Sequence, residues 1–329
     1  MKKVGLTYDL KTDYQFKQGD PQDANAEFDH PTTIDVIAKA VEAQGVEVVR
    51  IGNAASLLEK LDDLDVDIVF NLSEGLYGRN RESQVPVLLE MKGIPFVGAD
   101  ALTLGMTLDK IMAKKVFMAD GIPTPKFFEI RSEAELITTD HCRFPMIVKP
   151  RFEGSSKGLS EDSRVKNKEE LKKQVAQVLD TYKQPALVEE FIVGKEFTVA
   201  VVGNDPPEVL PIVQIKIDGE LQLNEKFYTF ARIASDKLEY VCPAPIDKNL
   251  SSKICELALK TYQAVDCRDF GRVDFRVDNK GNPYVLEINP LPSLSTEDVF
   301  MFIAKTMGIT YEEMIGRILK SAFKRHNLN

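Results

Sequence analysis

The chain has 329 residues, of which 43% are hydrophobic and 28% charged, and its net charge is −9. That length allows two or three units with cores of their own, and the composition is that of a soluble globular protein. The acidic balance argues against a general nucleic-acid surface, and no window approaches the ~18 uninterrupted apolar residues of a membrane span.

Met1-Lys2-Lys3 runs straight into the strand-like Val4-Gly5-Leu6, without the apolar core or cleavage site of a signal peptide. Residues 1–98 then alternate strand and helix. Val4–Thr7 is a short strand, and residues 11–30 form a long polar loop. Pro31 opens a helix with Ile34, Ile37 and Val41 at helical spacing, stopped at Gly45. The pattern predicts a buried strand at Val46–Ile51, a helix at Ala54–Leu61 and a strand at Ile68–Leu72. A loop over Ser73–Ser83 leads to a helix at Val85–Met91 and a strand at Pro95–Val97. Such alternation means a parallel sheet with helical cover, whose ligands sit beyond the carboxyl ends of the strands.

A helix is predicted from about Asp109 to Ala119, then the linker Gly121–Pro125. Strands are predicted at Phe127–Ile130 and Met146–Val148, with a short acidic helix around Glu133–Ile137 between them. Lys149-Pro150, a glycine-serine loop at Glu153–Gly158 and a charged helix over about 167–182 complete a small α+β lobe. Further strands follow at Ala186–Glu190 and Phe197–Val202. The segment 218–240 is polar and irregular but carries Phe227, Tyr228 and Phe230, and a loop that long inside a compact unit is usually functional. A helix around 249–264 and two C-terminal helices close the chain, Thr310 and Glu313 forming a capping box. Cys142, Cys242, Cys255 and Cys267 are scattered, and none of the three histidines lies near a cysteine at ligand spacing. A zinc site is therefore not expected, and a reduced, cytoplasmic protein is.

Gly271–Asn289 carries the most chemistry. It reads as a β-hairpin around the turn Asp278-Asn279-Lys280-Gly281. Alternation places Val273, Phe275 and Val277 on one face of the first strand, and Tyr284, Leu286 and Ile288 on one face of the second. Arg272 and Asp274, with Glu287 and Asn289, take the other side. Two carboxylates and an amide oxygen are hard ligands suited to Mg²⁺ beside substrate phosphates, and an arginine steadies a developing anion. On their own, Asp274 and Glu287 more readily fit ordinary solvated strand residues than a metal site. The loop Glu153–Gly158 lacks the G-K-[ST] ending of a P-loop, although its glycines and serines can present N–H groups to phosphate. Lys149, ending an apolar run, is either a snorkelling edge residue or a phosphate ligand. Ser155 or Ser156 with His141 lacks the third partner of a nucleophilic triad.

In order, Leu108-Asp109-Lys110, Ile147–Pro150, Glu153–Gly158, Val188–Val199, Lys226, Tyr240–Ala244, Gly271–Asp274 and Leu286–Asn289 resemble the ATP-grasp ligases, closest to the D-alanine–D-alanine ligases. The resemblance covers roughly residues 108–320. It implies α/β and α+β architecture: an N-terminal parallel-sheet, Rossmann-like unit (1–101) followed by a two-lobed ATP-grasp fold (102–183 and 184–329). It also implies ATP between the lobes and two Mg²⁺, for which Mn²⁺ can substitute, held by Asp274, Glu287 and Asn289. Lys110 and Lys149, with Ser156, would bind phosphates. Glu189 with the Phe191–Ile192 backbone would meet adenine, and Glu196 ribose. Arg272, Lys226, Ser155 and Ser293 make up the implied catalytic set, Lys226 on a mobile loop and Arg272 with the Ser293 backbone at the oxyanion.

The implied reaction is attack of a carboxylate on the γ-phosphate, then displacement of phosphate by an amine, on small amino-acid-like substrates. No nucleic-acid or membrane partner is implied, and there is room for a homodimer. A nucleotide-binding module without turnover is the alternative. Four positions depart from the family. The Gly/Ser/Glu motif after the first strand reads Gly5–Leu10, and the His-Gly loop reads Asn71–Gly75. The tyrosine after the loop lysine is Phe227, with Tyr228 one place on. At the acceptor carboxylate stand Ser293 and Asp298. All four lie on the amino-acid side, where Glu27, Asp29, Glu74 and Glu82 are the candidate amine anchors.

Overall fold

A computed structural model describes residues 1–136, 143–233, 235 and 237–328. The Glu133–Ile137 helix therefore lies partly outside the described residues, and His141 and Cys142 lie wholly outside them.

The first sheet is parallel, with order β2-β1-β3-β4, formed by β1 (Lys3–Tyr8), β2 (Glu47–Gly52), β3 (Ile68–Leu72) and β4 (Phe96–Val97). Helices α1 (Pro31–Glu42), α2 (Ala54–Lys60) and α3 (Gln84–Lys92) connect these strands. All five residues of β3 are buried, as a central parallel strand requires. The segment Val46–Ile51, expected to be a buried strand, is an edge strand with half-exposed Val48 and Val49, because only β1 pairs with it.

Two antiparallel sheets follow. The smaller has order β5-β8-β6-β7, from β5 (Phe127–Ile130), β6 (Met146–Pro150), β7 (Arg164–Val165) and β8 (Ala186–Glu190). Helix α6 (Lys168–Tyr182) covers it through Leu171, Val175 and Val178. The larger has order β12-β11-β9-β13-β14, with β10 (Glu208–Val209) also on β9 (Gly194–Val202). Its remaining strands are β11 (Val213–Ile217), β12 (Leu238–Val241), β13 (Phe270–Asp278) and β14 (Pro283–Asn289). Part of the segment read as irregular is thus the outer strand β12, together with the one-turn α7 (Phe230–Ile233).

Before the small sheet the chain forms two helices, α4 (Ala101–Leu108), not foreseen, and α5 (Lys110–Ala119). Asp109 separates them. Its side chain caps α5 by accepting from Met112 N at 3.2 Å and pairs with Arg151 at 2.6 Å. Lys110 is thereby held at the first turn of α5. Helix α8 (Lys248–Ala264) packs Ile254 and Ala258 under the large sheet.

The core of the first sheet is completed from the far end of the chain. Val4, Leu6, Ile34, Ile37 and Val41 share one apolar cluster with Phe300 and Ile303 of α9 (Val299–Met307) and Met314, Ile315 and Ile318 of α10 (Tyr311–Arg325). The Thr310–Glu313 capping box opens α10 as expected. Among the described residues no helix is long and apolar enough to cross a membrane.

Candidate active site

The hairpin β13–β14 pairs Arg272 with Asn289 and Asp274 with Glu287, so the four expected residues are cross-strand neighbours. The register then slips by one residue between Asp274 and Phe275, leaving Leu286 as a bulge. This corrects the alternation expected for the second strand. Val285 and Ile288 are buried on the apolar side, while Tyr284 sits opposite Arg276 and Leu286 lines the cleft.

Those residues open onto a cleft of about 860 Å³. Asp274 is held from three sides. Thr198 Oγ1 donates to its Oδ1 at 2.5 Å, Asn289 Nδ2 donates to Oδ2 at 3.0 Å, and Arg272 grips both oxygens at 3.1 and 3.2 Å. Lys110 reaches from α5 to Glu287 at 2.8 Å. Burial works to raise the Glu287 carboxyl, but Lys110 and Lys149 outweigh it and hold it at about 2. Asp274 moves the other way, raised by burial and then by the charge of Glu287, although Arg272 opposes this. Two half-buried carboxylates that disfavour each other, next to an amide oxygen, form a set of hard oxygen donors. They fit a hard divalent cation.

Lys149, at the end of β6, contacts Glu189 Oε1 at 2.6 Å, and Lys114 holds Glu189 Oε2 at 2.8 Å. Lys114 and Glu189 are each only 1% exposed, and despite burial the two ammonium groups keep the Glu189 carboxyl below its ordinary value. The Glu189 carboxylate is therefore committed to lysines, a local demand invisible in the sequence. Glu196 is similarly engaged, with Arg276 at 2.9 Å. Arg276 also donates to Ile192 O at 2.7 Å and lies over the Phe191 ring at 4.7 Å. It was not singled out above, although it shares the parity of Arg272 and Asp274 on one strand.

The Glu153–Gly158 loop crosses the mouth of the cleft. Ser155 and Ser156 line it with left-handed φ of 45° and 56°. At Gly158 (φ 76°) a Cβ would meet Pro150 Cγ at 2.4 Å, so that turn needs glycine. The loop is tied to residues 11–30: Glu27 accepts from Gly154 N at 2.7 Å, and Asp23 from Gly158 N at 2.8 Å.

Lys226 does not join the cleft. Its ammonium pairs with Asp218 at 3.1 Å and Glu220 at 3.4 Å beyond β11, while its neighbours Phe227 and Tyr228 turn inward. Ser293 lines the opposite wall, its hydroxyl accepting from Ser295 N at 3.2 Å.

Residues 116–320 match the family described as D-ala D-ala ligase C-terminus. The D-alanine–D-alanine ligase of Carboxydothermus hydrogenoformans is 36% identical over 296 residues, covering 87% of this chain and 91% of that one. The chain belongs to the D-alanine–D-alanine ligase family. An uncharacterised protein of Sinorhizobium fredii is 39% identical over 259 residues, 79% of this chain and 75% of its own. The fold is shared with the D-alanine–D-alanine ligase from Bacillus anthracis complexed with ATP (TM-score 0.75, 22% identity, 99% of both chains). It is shared also with the VanG D-Ala:D-Ser ligase from Enterococcus faecalis (TM-score 0.73, 21% identity, 98% and 99%).

In this member of the D-alanine–D-alanine ligase family the cleft wall built by the N-terminal residues is acidic. Ligand oxygens of Glu27, Glu74 and Glu82 lie within 4.8 Å of one another, and all three line the cleft with Asp29. Glu27 is neutralised by Arg81 at 2.6 Å and Lys157 at 3.1 Å. Arg81 gave no sequence signal. Glu74 and Glu82 have no such partner among the described residues. Burial, then neighbouring carboxylates, raises Glu74 well above its ordinary value, and burial lifts Glu82 to about 8. Burial also lifts Asp29 to about 7.

Proposed function

We propose that the protein is an ATP-dependent ligase that joins a carboxylate to an amine through an acyl phosphate, releasing ADP and phosphate, with small amino-acid-like molecules as substrates. The observation that carries this reading is the convergence of Lys110, Lys149, Asp274, Glu287, Asn289 and Arg272 on one cleft. Lys110, Lys149 and the Ser155–Ser156 loop bind the phosphates, and the Phe191–Ile192 backbone, braced by Arg276, carries the base. Asp274, Glu287 and Asn289 are the residues for two Mg²⁺, which when bound neutralise the phosphate charge. The chain's own work is to position substrates and stabilise charge. Arg272, beside Ser293, meets the oxyanion of the tetrahedral intermediate, and Glu74 and Glu82 anchor the ammonium of the first substrate.

The three units 1–101, 102–183 and 184–329 and a homodimeric assembly belong to the same proposal; the parallel sheet supports the first unit and the large antiparallel sheet the third, while β8 (Ala186–Glu190) crosses the 183/184 boundary to pair within the small sheet. The abundance of acids in the cleft supports small zwitterions or cations over nucleic acid. The test is phosphate release from ATP and Mg²⁺ over pairs of D- and L-amino acids and their amides. Release coupled to a condensed product supports the ligase. Tight ATP binding with no release from any pair would leave the non-turning-over nucleotide module instead.

A further inference from the structure

Thirteen Asp and Glu line the cleft against five Lys and Arg. At the nucleotide end these charges cancel pairwise: Lys149 on Glu189, Arg276 on Glu196, and Lys110 on Glu287. Interactions run from Ile192 through Arg276 and Glu196 to Lys149, Glu287, Asp274 and Arg272, and the space beyond Arg272 is what remains for an incoming amine. The walls there are Asp298, Ser293, Tyr228, Tyr240 and Asp29.

Arg272 is the cation nearest that space, and it is already committed. Both Asp274 oxygens hold it, and Asp298 Oδ1 stands 3.9 Å from its Nη1. Asp298 cannot turn away, because it caps α9 by accepting from Val299 N at 2.6 Å. The two tyrosine hydroxyls lie 2.5 Å apart, each within reach of the Asp298 charge, so they are partly occupied with each other. Among the described cleft-lining residues the further cation there is Lys11, whose backbone N–H donates to Asp29 O at 2.9 Å and whose charge acts on the Asp29 carboxyl. Glu82 strengthens the pattern: it lines the cleft, is 8% exposed, and makes no hydrogen bond or ion pair among the described residues. An α-amino acid attacking through its amine must bring its carboxylate within two bonds of the reacting nitrogen, and so against Asp298.

We infer that the amine substrate carries no carboxylate, and that Asp298 is the residue that excludes one. This rests on the ligase reading above. An amine of this class is an amino-acid amide or a short diamine. The neutral nitrogen attacks the acyl phosphate carbon to form the C–N bond and a tetrahedral intermediate, which collapses as the C–O bond to phosphate breaks, and the amine proton leaves with the phosphate or solvent.

The experiment uses the full chain with ATP, Mg²⁺ and D- or L-alanine as the acid. The amine is alanine, alaninamide or 1,3-diaminopropane, and product is read by mass alongside phosphate release. A selectivity for alaninamide over alanine of at least about tenfold is expected. Asp298→Ser, which keeps a helix-capping oxygen, should erase or reverse it. Calorimetry with a non-hydrolysable ATP analogue follows the same pair without turnover. Product formed from alanine as readily as from alaninamide, or an unchanged ratio in Asp298→Ser, overturns this inference and leaves the ligase standing. Preferential binding of alaninamide, reversed in Asp298→Ser but without turnover, overturns the ligase reading alone. Binding of neither amine to the loaded protein overturns the inference.

Discussion

The two ends of the cleft solve opposite electrostatic problems. At the nucleotide end every buried acid has a base: Glu189 has two lysines, Glu196 has Arg276, and Glu287 has Lys110. At the other end Glu82 is buried and Glu74 half-buried, neither with such a partner among the described residues, and Asp29 and Asp298 add to the same field. A buried carboxyl left unpaired is costly to ionise, so it keeps its proton until a cation from outside pairs with it. On the proposed function, the paired end serves the nucleotide and the unpaired end the substrates.

Breaking the paired end should have the largest effect. Glu287→Ala removes a proposed metal oxygen and strands Lys110. ADP formation should fall by about 10³-fold or more, with a raised Mg²⁺ requirement in a metal titration. Arg272→Lys, which loses the two-pronged grip on Asp274, should lower kcat about a hundredfold with little change in the KM for ATP.

The unpaired end is tested through pH. Glu82 is raised from an ordinary 4.5 to about 8 in the folded state, chiefly by burial. Its contribution is full below the unfolded value and is lost as pH rises through the folded one, so stability should decline between about pH 4.5 and 8. Glu82→Gln should flatten that decline, a gain on the order of 2 kcal/mol at pH 8 read from urea unfolding. An equal slope in both proteins would show that Glu82 is not protonated in the fold. The smallest effect is expected at Lys226, a rim residue paired with Asp218 and Glu220. Lys226→Ala should change kcat/KM by less than about threefold. A loss of a hundredfold would mean that this lysine enters the cleft during turnover.

The same contrast explains what could be read from the chain. The juxtaposition of Arg272, Asp274, Glu287 and Asn289 was legible because these four residues sit on two adjacent strands, where alternation alone puts them on one face. Lys110 and Lys149 were legible through their motifs, one opening a helix and one ending a strand. The Leu286 bulge was not, since no glycine or proline marks it, and it moved Val285 into the core. The double clamp on Glu189 was hidden because Lys114 comes from a distant helix. The ion pairs of Lys226 were not legible, because its motif position says nothing of Asp218 and Glu220 nearby. On the acidic side, Glu27 comes from the 11–30 segment and Glu74 and Glu82 from the segment between β3 and α3, and only the fold brings their oxygens within 4.8 Å.

The shared apolar cluster of α1, α9 and α10 has a bearing on how the molecule is made. The opening sheet cannot seal its interior until the chain has been synthesised through Ile318, because Ile34, Ile37 and Val41 wait for that helix. The wall bearing Glu27 and the wall bearing Asp298 are consequently joined by one knot of side chains. A fragment cut ahead of Tyr311 would expose that seam and lose the alignment of both walls together.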